Sequence, residues 1–221
     1  MARINDTTTY PNTTPALADH VVGTDVSDTT NSADGEVVTF PVKNLSGLFF
    51  IESQDAASSA SLDFTGFDSA NYDSYLFVLS NIIPATDAVA LYARTSSDGG
   101  STYDSGASDY VYSTHSAKTA NAGVSEVGGT AAQIAITTVG TLGSDTDEDG
   151  ASGELKILGP HLTKRTQVTF NAAWEGSDGD YYFTTGGGAR LSSADVDAIQ
   201  FIMSSGNIES GTITMYGLRN S

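Results

Sequence analysis

A succession of short alternating segments, separated by glycine-rich turns, restricts this chain more than any other feature. The clearest are "SLDFTGF", "SYLFVLSNI", "AVALYARTSS", "DYVYSTHS", "AQIAITTV", "GELKILG", "QVTFNAAW", "DYYFTT", "AIQFIMSS" and "GTITMYGL". Side chains alternate between the two faces of an extended chain. In "AVALYARTSS" this puts Val89, Leu91 and Ala93 on one face, and in "GTITMYGL" it does the same for Ile213, Met215 and Gly217. Asp-Gly, Gly-Gly, Ser-Gly and Gly-Asn pairs punctuate the segments, and these residues enter tight turns readily. Helical periodicity is confined to one short candidate, "LSSADVDAI" at 191–199. "TTGGGAR" at 184–190 reads as a loop after a Tyr-Tyr-Phe strand. Many short strands at even spacing predict an all-β fold, an antiparallel jelly-roll-like β-sandwich. No repeat of propeller-blade length is present, which argues against a propeller.

Residues 1–19, "MARINDTTTYPNTTPALAD", hold too little apolar surface to offset the entropy of ordering alone. Such an arm is expected to be held by other chains. Residues 20–42 read as a hairpin, with Asp34-Gly35 as its turn and Val21, Val22 and Val26 facing Val37, Val38 and Phe40 across the loop. "VKNLSGLFFIE" follows as either a helical turn or a strand. The expected division is therefore an arm and hairpin over 1–47 and a β-sandwich over 48–221.

Charge narrows the function. With 27 acidic residues against 9 lysines and arginines, the formal net charge is −18. Such a surface repels phosphate backbones, so no nucleic-acid partner is expected. No membrane insertion is expected either, because no apolar run reaches the ~18 residues of a span. The first thirty residues lack an apolar core, so no signal peptide is predicted. The chain contains no cysteine, which removes disulfides, thiolate catalysis and Cys-ligated zinc.

Two motifs carry chemistry worth weighing. "SSDGGSTY" (96–103) fits S-x-D-x-G-x-T-aromatic through Ser96, Asp98, Gly100, Thr102 and Tyr103, and resembles the Asp-box of sialidases and β-propeller proteins. Its physics is that of a hairpin loop, in which the carboxylate accepts backbone N–H groups and glycine takes positive φ. The motif predicts a turn. "SDTDEDGASGELK" (144–156) opens like a calcium loop, with Asp145, Asp147, Asp149 and Gly150 in D-x-D-x-D-G. These three aspartates are candidate ligands for a weakly held Ca2+. A regulatory EF-hand is not expected, since Lys156 occupies the twelfth place. His20, His115 and His161 share no metal-ligand spacing, and no nucleophile elbow or P-loop is present. No catalytic residue emerges, and the chain reads as a non-enzyme. Adjacent Tyr181 and Tyr182 must point to opposite faces of a strand, so one of them should lie at a surface or interface.

The stretch "FTGFDSANYDSYLFVLSNIIPATDAVALYARTSSDGGSTYDSGASDYVYS", with "AIQFIMSSGNIESGTITMYGL" near the end, resembles a β-sandwich module of tailed-phage virion proteins, over roughly residues 58–219. "ALADHVVGTDVSDTTNSADGEVVTFPVKNL" resembles the attachment segment of phage fibre-type proteins. The resemblance implies a bacteriophage structural protein on the virion surface, made in the host cytoplasm. It would dock on tail or capsid subunits through residues 1–47, commonly as a homotrimer. A short tail fibre or tail adaptor acting in host attachment is the first expectation. A capsid decoration or head-fibre protein is the alternative, and a receptor module binding a host surface glycan, with or without calcium, is a further one.

Overall fold

The structure is a computed structural model that describes residues 20–25, 36–41, 47–120, 124–138, 141–145 and 148–219. It divides into two compact units between Gly47 and Leu48. Among the described residues the first holds an antiparallel hairpin, β1 (His20–Asp25) with β2 (Glu36–Pro41), paired from His20↔Pro41 to Asp25↔Glu36. The Asp34-Gly35 turn, Val26 and the arm over 1–19 lie outside the described residues.

The second unit is all-β. Its strands are β3 (Gly47–Asp55), β4 (Leu62–Phe64), β5 (Ser74–Pro84), β6 (Leu91–Ser96), β7 (Tyr110–Lys118) and β8 (Val124–Ala131). They continue with β9 (Ile134–Ala135), β10 (Ala151–Leu158), β11 (Gln167–Glu175), β12 (Tyr181–Arg190), β13 (Ala198–Met203) and β14 (Ile208–Arg219). Two antiparallel sheets result, ordered β3-β14-β5-β10-β11-β12-β7-β8 and β4-β13-β6-β9. This is the arrangement of a β-sandwich. The chain alternates between sheets from β3 to β6. It adds the β7–β8 hairpin to the large sheet, returns through β9, lays β10, β11 and β12 side by side, then crosses through β13 to β14.

Alternation buries one face of each strand. Along β11, Val168, Phe170, Ala172 and Trp174 turn inward while Gln167, Thr169 and Asn171 face out. The sheets meet at aromatic contacts. Phe77 of β5 lies 5.3 Å from Phe64 of β4 and 5.5 Å from Phe201 of β13, ring centre to ring centre. Tilted and edge-on pairs of this kind add about 0.5–1.5 kcal/mol each to the burial of their area. At the other end Tyr110 of β7 reaches β6, its hydroxyl accepting the Thr95 N–H at 2.8 Å.

Three sequence expectations are revised, and one left open is decided. The helix candidate at 191–199 is irregular chain running into β13. Its backbone donors go to distant carbonyls: Leu191 to Asp109, Val196 to Pro160 and Asp197 to Ser96. Long-range partners thus replace the local helical ones. The supposed loop at "TTGGGAR" is the second half of β12. Gly186 belongs inside that strand because a Cβ there would stand 2.6 Å from the Phe170 ring and 2.8 Å from the Ser113 carbonyl. "AQIAITTV" contributes only the two-residue β9, whereas the unanticipated β8 lies just before it. "VKNLSGLFFIE", left open between helix and strand, enters β3 at Gly47.

Candidate binding face

The outward side of the large sheet spans eight strands. Register aligns its residues into rows. Leu218, Ser74, Leu158, Gln167, Ala189 and Val111 form one, and Tyr216, Leu76, Lys156, Thr169, Gly187 and Ser113 the next. A third runs through Thr214, Val78, Glu154, Asn171, Thr185 and His115. On a chain with 27 acids, these rows carry little charge.

Two parts of the face are apolar. At the β3 edge Leu48, Phe50, Leu158 and Leu218 are exposed, with Phe50 at 57%. The Phe50 ring meets Tyr216 edge-on at 6.1 Å. Between the exposed leucines a groove of about 280 Å³ opens over β5, floored by Ser74 and Leu76 and walled by Leu48, Leu218, Leu158 and Lys156. Leu76 faces this side yet is only 8% exposed, so the groove is recessed between its neighbours. The second apolar part is the pair Tyr181 and Phe183 on β12, 44% and 54% exposed. Phe183 stands between Ala173 and Ala117, whose small side chains leave its ring uncovered. Tyr182 points the opposite way, 3% exposed, as adjacent strand residues must. The Tyr181 hydroxyl donates to Glu175, which raises its pKa. A shallow groove of about 410 Å³ lies over Gly187 and Gly188, bordered by β7 and β11.

The Asp-box motif folds as a turn beside β6. Ser96 Oγ donates to Asp98 Oδ1 at 2.7 Å, the Thr102 N–H to the same oxygen at 2.9 Å, and Thr102 Oγ1 to Oδ2 at 2.6 Å. The Thr102 hydroxyl and N–H, then Ser96, hold the Asp98 carboxyl down to about 2. Gly100 has φ +81°, and a Cβ there would lie 2.8 Å from Thr65 Cγ2. The side chains of Ser96, Asp98 and Thr102 are spent on the loop itself, whereas the Tyr103 hydroxyl is buried without a hydrogen-bond partner among the described residues.

The acidic loop is organised by a residue the motif did not include. Glu148 Oε2 accepts the Asp145 N–H at 2.5 Å, and burial with nearby Asp145, Asp87 and Glu175 raises the Glu148 pKa. Asp145 is exposed, and the Asp149 carbonyl accepts from Asn81 Nδ2 at 3.0 Å. Asp147 lies outside the described residues. Among the described residues no three acidic or histidine side chains converge as a cation site. His115 sits on the outward face 3.7 Å from Glu126, whereas His161 lines a small cavity with Asp195 and Asp197.

A second polar cluster closes the β11–β12 turn. Lys118 Nζ lies 2.7 Å from Asp180 and 3.5 Å from Asp178, and the Asp180 bond raises its pKa. The Tyr182 hydroxyl donates to Asp178 at 2.7 Å, and its ring stacks on Trp174 at 5.5 Å. These groups satisfy one another and serve the fold. The sequence carried a signal for Tyr181 in its adjacent tyrosines, but none for the groove over β5, which depends on cross-strand register. Comparison with protein-family models, curated proteins and solved structures finds no match to this chain.

Proposed function

We propose that the chain is a non-enzymatic structural protein of a tailed-phage virion, a short tail fibre or tail adaptor. Residues 1–47 attach it to the particle, and residues 48–221 present the β domain for host attachment. The supporting observation is the division between Gly47 and Leu48, with a two-stranded hairpin as the element among the first unit's described residues. Two strands alone are marginal in water and gain stability from a partner surface. The strand order also supports a jelly roll: β3-β14-β5-β10 and β4-β13-β6-β9 follow the order expected of its two four-stranded layers, with β7–β8 and β11–β12 as additions. Deleting residues 1–40 should leave a folded domain that no longer joins particles. A truncated chain that co-sediments with particles as the full chain does would refute the attachment role.

The exposed Tyr181 and Phe183 favour a second reading, a glycan-binding face. Flat aromatic rings stack on sugars, and Asn171, Thr185 and Glu154 nearby offer hydrogen bonds. Loss of host-cell adsorption in Tyr181→Ala/Phe183→Ala, with particle incorporation intact, would support it. Unchanged adsorption would dismiss it.

A further inference from the structure

The apolar half of the outward face is complementary to itself. Its ridge is exposed Leu218 with half-buried Tyr216 beside it on β14, and its groove is floored by Leu76 and Ser74 on β5. Register makes them direct neighbours, Tyr216↔Leu76 and Leu218↔Ser74. A twofold axis parallel to the strands, between β14 and β5, exchanges the members of each pair. It lowers the ridge of one copy into the groove of the other, twice over. The same operation carries β3 over β10. Phe50, whose ring meets Tyr216, then faces the partner copy's Lys156 position, Leu48, on the same face two residues earlier, its Leu158 position, and Ser53, whose Oγ lies 3.0 Å from Thr214 Oγ1, its Glu154 position.

We propose that two copies of this chain pair face to face through β3, β14, β5 and β10. Three observations select a second copy as the occupant. Ridge and groove lie side by side on one face, as an isologous contact requires. The groove, about 280 Å³, sits at the lower end of the ~300–1,000 Å³ of small-molecule pockets, and the four leucines in its lining suit inserted apolar side chains. The pairing also sets no acid against acid. Lys156 meets an aromatic ring and Glu154 meets the region of Ser53, on a chain whose −18 charge opposes self-approach elsewhere. This pairing does not depend on the virion reading. It differs from the trimer that the sequence resemblance implies, and mass in solution separates the two.

Sedimentation equilibrium of the full chain should give a dimer. Leu218→Asp, which charges the ridge, and Ser74→Trp, which fills the groove, should each give a folded monomer. Cross-linking supplies a test independent of those variants, because the chain has no cysteine of its own. In Leu48→Cys/Leu158→Cys the two thiols lie roughly 14 Å apart within a copy but about one sheet spacing, ~10 Å, from the partner's. A short bis-maleimide should therefore produce covalent dimers from the double variant and not from either single one. A monomeric wild type would overturn the proposal and leave the face to the chain's own N-terminal residues or a foreign partner. So would a trimer, or single variants that cross-link as well as the double.

Discussion

Arg190 and Asp104 stand 86 residues apart in sequence and form one ion pair, the Arg190 Nε donating to the carboxylate. Arg190 ends β12 and is 4% exposed, while Asp104 follows the Asp-box turn and is 30% exposed. A further guanidinium nitrogen reaches Ser97 Oγ at 3.1 Å, tying both sides of the turn to the large sheet. Arg190→Met should destabilise the domain by about 2–4 kcal/mol, less than a fully buried pair because water screens Asp104. Urea unfolding followed by tryptophan fluorescence measures this. A change too small to resolve would mean that the pair does not hold the turn.

The Asp98 carboxyl gives the fold an acid dependence. Its folded pKa, about 2, lies below the ordinary 3.8. A depressed carboxylate contributes stability that is complete above the unfolded value and is lost as pH falls from about 4 to 2. Asp98→Asn removes this contribution. Thermal unfolding should show the variant below wild type at neutral pH, with the gap closing toward pH 2. A pH-independent gap would show that the hydrogen bonds, and not ionisation, carry the effect.

At alkaline pH the tyrosines behave in the opposite sense. Burial pushes Tyr75 and Tyr103 up to about 12, against the Asp68 N–H that donates to the Tyr75 hydroxyl and with the help of the Asp63 charge near Tyr103. A raised folded value means stability that is intact below the unfolded pKa of 10 and declines as pH rises toward 12. Absorbance titration of tyrosinate should show these two among the last to ionise. Tyr103→Phe should reduce the alkaline loss of stability.

Gly186 should tolerate no larger residue. Gly186→Val would press a side chain onto the Phe170 ring and the Ser113 carbonyl, with overpacking worth about 1–3 kcal/mol or more. The paired variant Gly186→Ala/Phe170→Leu should recover part of that loss. Chemical denaturation of the three proteins decides whether the steric account holds.

The strands carrying clear alternation, such as Leu155 and Ile157 in β10 or Val168 and Phe170 in β11, were legible from residue type alone. Local rules missed the places where long-range contacts decide. Gly186, Gly187 and Gly188 look like a loop until Phe170 is known to cover the first of them. Ser192, Ser193 and Asp195 look like a helix start until the backbone around them finds Asp109, Pro160 and Ser96. β8 is rich in glycine, and its sequence gives little strand signal without β7 beside it. The candidate face is a product of register, and Leu218 faces out beside Ser74 for reasons that span the chain.

The last two strands are central ones: β13 lies between β4 and β6, and β14 between β3 and β5. During synthesis both sheets therefore wait with a vacancy in their middle until the final segment leaves the ribosome. The emerging chain holds unpaired strand edges on each side of both gaps, the condition in which nascent β proteins are prone to mispair. Premature termination anywhere before β13 would leave a gap in the middle of both sheets, so the domain's own wiring makes β13 and β14 a requirement for folding.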